Sequence, residues 1–173
     1  MKRLSGILAL IMIFVIAGYR ADAQNYKFAH INSDDLIRAL PEYDTAMAQL
    51  EKSRKELVNQ LEIMQVELNN KYEAYNKTSK TLTDLVRQAK EQEIQDMNNR
   101  IQEFQVNAQA QLQEQQTQLT QPIFEKVDEA IKAVGKTGGY IYVFDVSKGQ
   151  VLYFDESKST NILAQVKTKL GIK

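Results

Sequence analysis

The 173-residue chain has no cysteine, no tryptophan, one histidine and two prolines. Without cysteine there is no disulfide framework and no thiol chemistry. With only His30 beside the carboxylates, a zinc or other transition-metal site lacks its usual ligands. Nucleophile–base arrangements fail for the same reason, because His30 has no partner of the required kind nearby in the sequence. Gly135-Lys136-Thr137 has the ending of a phosphate-binding loop, but Ala130 stands where the motif needs its first glycine. The expected order there is also helix, loop, strand, the reverse of what such a loop requires. The reading is therefore of a protein that is not an enzyme and uses no cofactor and no metal.

Charge of one sign is also missing. Lys+Arg and Asp+Glu are each 22. The first residues look like a secretory signal peptide: Lys2 and Arg3, an apolar run over Leu4–Ala17, then Ala21-Asp22-Ala23 as a cleavage site. The run is shorter than the roughly 20 apolar residues that a membrane span needs. No cysteine follows it for lipid attachment. Cleavage before Gln24 would remove Lys2, Arg3, Arg20 and Asp22. That leaves 150 residues with 19 basic against 21 acidic, a balance with no overall pull on nucleic acid or anionic lipid. The chain is therefore expected to be exported, with no stable membrane anchor and no nucleic-acid partner.

Glycine and proline avoid the middle of the chain. Between Pro41 and Pro122 lie 80 residues without either, rich in Gln, Glu, Lys, Leu and Ala, and all five glycines of the exported part fall at or after Gly135. Such a composition favours helix. Met47, Leu61, Leu68 and Tyr75 recur at one heptad position, and Leu50, Leu57 and Met64 at another. Arg54 and Lys71 interrupt the seam. The repeat stalls over residues 76–81, where a helix–helix turn is expected near residue 79, with Thr81 and Asp84 forming a capping box. A weaker seam follows: Leu82, Leu85 or Val86, Ala89, Ile94, Met97, Ile101, Phe104, Ala108, Leu112 and Leu119. Nine of the twenty residues from Gln102 to Gln121 are glutamine, so this arm supplies little core. Folding at 79 sets Met47 opposite about Gln111, with arms on the order of 50 Å.

The ends carry the strands. Residues 26–31 read as a strand and Asn32 or Ser33 as the cap of a short helix, which Pro41 ends so that a new helix begins there. A denser apolar face follows Pro122, with Gly135 as the expected helix C-cap. Residues 140–145 and 150–154 read as a hairpin about a turn at 147–149. Asp155–Ser159 would then cap a last helix, stopped by Gly171. The fold class is α+β, a long antiparallel coiled-coil hairpin on a small β-sheet body. The body comprises 24–41 and 122–173 and the helical finger 42–121, in one domain over 24–173. So small a sheet has open edges that other copies of the chain could complete.

Lys27-Phe28-Ala29-His30-Ile31-Asn32-Ser33, then Leu40-Pro41-Glu42-Tyr43, and finally Phe144-Asp145, Asp155-Glu156-Ser157 and Asn161-Ile162-Leu163-Ala164-Gln165-Val166 are similar to the start and end of the Skp/OmpH family. The resemblance covers essentially the whole exported part. It implies a homotrimer whose strands build a central body and whose fingers surround a cavity. It further implies an ATP-independent holdase chaperone that binds unfolded outer-membrane β-barrel proteins in the periplasm and prevents their aggregation. Well-known members are strongly basic, whereas this chain is slightly acidic after cleavage. Met64, Lys71, Tyr72, Tyr75, Lys77, Lys80 and Met97 are the candidate client contacts, with seam packing as the competing role for the two methionines. The other reading of the architecture is a periplasmic structural or adaptor protein, a coiled-coil spacer docking one folded partner.

Overall fold

The computed structural model describes residues 26–172; the signal peptide expectation lies outside the described residues. Strand β1 (Lys27–Ile31) leads through Asn32 into helix α1 (Ser33–Arg38). The Asn32 side chain accepts from the Asp35 N–H at 3.2 Å, so the local cap is formed as its sequence suggests. Pro41 then opens helix α2 (Pro41–Thr78), at the first turn where a missing N–H costs nothing. Helix α3 (Asp84–Gly138) returns antiparallel to it. Strand β2 (Tyr140–Asp145), strand β3 (Ser159–Asn161) and helix α4 (Leu163–Leu170) complete the chain.

The two long helices make the finger, about 55 Å and about 80 Å long at 1.5 Å per residue. Its seam is dry in two places. At mid-finger Met64, Met97 and Ile101 are buried, with Leu61, Leu68 and Phe104 packed against them. At the base Ala46, Ile123, Val127 and Ala130 join the body core of Ala29, Ile31, Leu36, Leu40, Ile162 and Val166. Between these clusters the arms meet over Ser53, Gln111, Glu114, Gln115 and Gln118, a polar groove that reflects the glutamine-rich stretch.

The expected helix–helix turn forms, and three expectations around it are corrected. The fold-back lies at 79–83, because α2 continues through Thr78, whose hydroxyl bonds the Ala74 carbonyl while Ser79 N–H reaches Tyr75 O at 2.7 Å. The later fold point shifts the register, so Met47 packs in the same base cluster as Leu119 rather than facing Gln111. The Thr81–Asp84 capping box does not form: Thr81 bonds Thr78 O, and Thr83 is the N-cap without a side-chain bond. Helix α3 does not end at Gly135, which is buried and where a side chain's first carbon would come within 3.4 Å of Val143. It ends at Gly139, whose φ of 68° is the left-handed cap conformation. Pro122 lies inside this helix on its exposed side, since the turns on either side hold the helix across one lost N–H.

The sheet also differs from expectation. Residues 150–154 are not a strand, and the sheet has order β2-β1-β3 with both pairings parallel. No hairpin forms because the chain leaves β2 along residues 146–158, crosses beside β1 and re-enters on its far side. Asp145 anchors the exit. Its carboxylate accepts from Ser33 N–H at 3.2 Å, Ser33 Oγ at 2.5 Å and Ser147 N–H at 3.0 Å. Asp155 turns the chain back by accepting from the Ser157 N–H and hydroxyl, so it does not cap the last helix. Asn161 Oδ1 accepts from Leu163 N–H at that helix start, and Gly171 ends the helix as expected.

Candidate functional site

Two surfaces are left when the cores are filled, one along the finger and one on the sheet. On the finger, the tip is held by polar contacts across the arms. Lys71 reaches Glu93 at 2.5 Å and Glu67 at 3.5 Å. The Tyr75 hydroxyl donates to Glu91, and the Tyr72 hydroxyl accepts from Asn98 at 3.2 Å. Hydrogen bonding to Glu91 comes first among the causes that raise the Tyr75 hydroxyl above its usual range, and bonding to Lys71 first among those that lower the Glu93 carboxyl. These groups set the register of the arms near the turn.

The sequence-derived candidates therefore divide. Met64 and Met97 fill the seam, Met97 being 2% exposed. Lys71 and Tyr75 are half-buried cross-arm partners. Tyr72 shows a large exposed area, Lys77 pairs with Glu73 at 3.7 Å on the same helix, and Lys80 stands exposed in the turn. The structure brings Met64 and Met97 into one cluster and Tyr72, Tyr75 and Lys71 into one polar ladder. It does not gather all seven into a single site.

Sequence reasoning missed most of the apolar side chains outside the seam, and it placed Leu85 or Val86, with Ala89, in the second seam, whereas all three are exposed because the arms splay toward the turn and the seam closes only from Ile94. Val58, Ile63 and Val66 on α2 and Leu85, Val86 and Val106 on α3 are exposed. Val58 shares its heptad position with Tyr72, and Leu85 with Val106, so these residues form lines along each arm. Ile63 and Val66 lie three apart on one face of α2. For Val58, Ile63, Val66 and Val106 the signal was present as β-branched residues at positions the expected seams do not use, but an off-register valine in a helix reads ordinarily as surface noise.

The second surface is the sheet. Ala29 and Ile31 point into the helical core, so the alternate positions of β1 face away from it. Phe28 pairs in register with Tyr142 and Ser159, and His30 with Phe144 and Asn161. Phe28, Tyr142 and Phe144 stack with ring centroids 5.8 to 6.4 Å apart. Tyr142 nonetheless remains 59% exposed. The crossing segment lays Phe154 on His30 at 4.6 Å but turns Leu152 and Tyr153 outward, 96% and 85% exposed. The outer edge of β2 pairs with no strand among the described residues.

A long two-helix finger rooted in a small parallel sheet, with apolar surface on both, defines a binding or assembly protein whose contacts are spread rather than focused. The sequence pattern of the OmpH-like outer membrane protein family matches residues 27–170, and the chain belongs to that family. It is 30% identical over 152 residues to the chaperone protein Skp of Yersinia enterocolitica, covering 85% of this chain and 90% of the relative. The chaperone protein Skp of Photorhabdus laumondii is 26% identical over 159 residues, covering 90% and 92%. The fold is shared with a solved OmpH-like protein of Caulobacter crescentus at a TM-score of 0.70 and 13% identity, covering 84% of this chain and 83% of that one. Among the described residues no helix is long and apolar enough to cross a membrane.

Proposed function

We propose that this protein is a holdase chaperone of the periplasm that binds unfolded outer-membrane proteins and keeps them from aggregating without ATP. The observation that carries this reading is the set of apolar side chains left exposed along a finger whose own seam is already filled. An unfolded chain offers many weak apolar contacts and no fixed shape. A receptor for it needs distributed, adaptable surface rather than one pocket. The chaperone identity of the Skp relatives, matched over nearly their whole length, supports the same reading.

In this proposal clients touch Val58, Ile63, Val66, Val106 and the exposed face of Tyr72, with Lys77 and Lys80 adding charge at the tip. Lys71 and Tyr75 hold the arms in register. Met64 and Met97 meet a client only when the arms part, where their flexible thioethers suit varied partners. The exposed aromatic sheet face and the open β2 edge invite further copies of the chain, and the family resemblance implies three copies in all.

The test dilutes a urea-unfolded outer-membrane β-barrel protein into buffer with the purified protein, without ATP, and follows turbidity. Suppressed aggregation is expected, and the triple variant Val58→Ser, Ile63→Ser, Val66→Ser should need about tenfold more protein for the same effect. Undiminished aggregation of several unrelated clients would overturn the chaperone reading in favour of a spacer or adaptor with one folded partner.

A further inference from the structure

The open sheet face holds one group that changes charge between pH 5 and 8. His30 sits in β1 between Phe144 of β2 and Asn161 of β3. Its Nδ1 lies 2.9 Å from Ser159 Oγ, and its ring lies against Phe154. The groups around it are otherwise uncharged. On β1 and β2, Lys27 and Asp145 occupy the alternate positions, and Asp145 is bonded to Ser33 and Ser147. On the crossing segment Asp155 is 3.8 Å from Lys158 and bonded to Ser157, while Glu156 is exposed to solvent. Strand β3 is Ser-Thr-Asn, and helices α3 and α4 pack against the opposite face. Among the described residues no carboxylate contacts the imidazole.

We infer that His30 makes the joining of copies across this face pH-sensitive: the neutral imidazole permits it, and the protonated one opposes it. The inference rests on the self-assembly reading above. A second copy is the occupant because the face is uncharged while His30 is neutral, so identical faces do not repel. The face is also continuous with the open β2 edge, which residues 146–158 of the same chain leave unpaired by crossing beside β1. Protonation puts one positive charge per copy into a contact that has to be dry and offers it no counter-charge.

The sign follows from linkage. The assembled state favours neutral His30. Protonation and assembly therefore oppose each other, and assembly weakens on acidification.

The experiment measures molar mass by sedimentation at low micromolar concentration at pH 7.5 and pH 5.5, for the wild type, His30→Gln and His30→Lys, with helix content followed by circular dichroism. The wild type should be assembled at pH 7.5 and dissociate at pH 5.5 with its helices intact. His30→Gln should stay assembled at both, and His30→Lys should be dissociated at both. A wild type monomeric at pH 7.5 would defeat the assembly reading itself. One assembled equally at both pH values would defeat the His30 inference alone, whatever the variants do. Dissociation of His30→Gln at pH 5.5 would assign the effect to another group and overturn the inference as well.

Discussion

Asp145 shows how one side chain decides a topology. Burial works to raise its carboxyl, but the bonds from Ser33 and Ser147 outweigh that and leave it below the usual aspartate range. A depressed carboxyl contributes stability that is present above its unfolded value, near ~3.9, and is lost as pH falls through the folded value. Urea midpoints measured from pH 6 down to pH 2.5 should therefore fall for the wild type. Asp145→Asn should start lower and lose less over the same window. Parallel curves would mean that Asp145 is not coupled to folding. Gly138 makes a similar point by size: a Cβ there would run into the Tyr140 ring, so a larger residue would have to displace that ring where the helix end joins β2.

Among the elements, α3 carries the largest departure from local propensity. It passes through Pro122, losing one backbone bond on its exposed side, and runs on to Gly139. Proline in a helix interior ordinarily costs about 3 kcal/mol. Here the helix persists because Ile123, Val127 and Ala130 are buried against α1, α4 and β1. Pro122→Ala restores an N–H at an exposed position and should raise stability by about 1 kcal/mol or more, read as a higher urea midpoint. An unchanged or lower midpoint would mean that the proline is itself part of the packing at the finger base. The finger between its two apolar clusters depends on glutamine contacts, so its arms are less tightly joined there than at Met64 and Met97.

For the whole molecule, the exposed aromatic face and the outward Leu152 and Tyr153 are the features a lone chain leaves unsatisfied. Tyr142→Asp places a charge at the middle of that face without touching the helical core. The expected result is a smaller species by light scattering at the same protein concentration, with helix content unchanged by circular dichroism. A mass equal to that of the wild type would mean that copies do not meet through this face. The near-neutral balance of charge bears on the clients: capture that relies on apolar contact should depend only weakly on salt, unlike capture by a basic surface.

Much of this architecture was legible locally. The 80 residues free of glycine and proline, the heptads of Met47 to Tyr75, the Asn32 cap and the start of α2 at Pro41 follow from backbone preference and periodicity, which act within a few residues. Met64 and Met97 could be placed on the seam by the same periodicity, although not weighed against Ile63 and Val66 as exposed surface. The direction of the C-terminal strands was not legible. Residues 150–154 have every local feature of a return strand, yet the pairing of β2 with β1 and the anchoring of Asp145 on Ser33 carry the chain past them. The exact fold-back, the helix through Pro122 and the parallel sheet depend on contacts between residues far apart in the chain. Such contacts repay the local cost of a lost bond or an unformed hairpin, and only the tertiary structure decides among them.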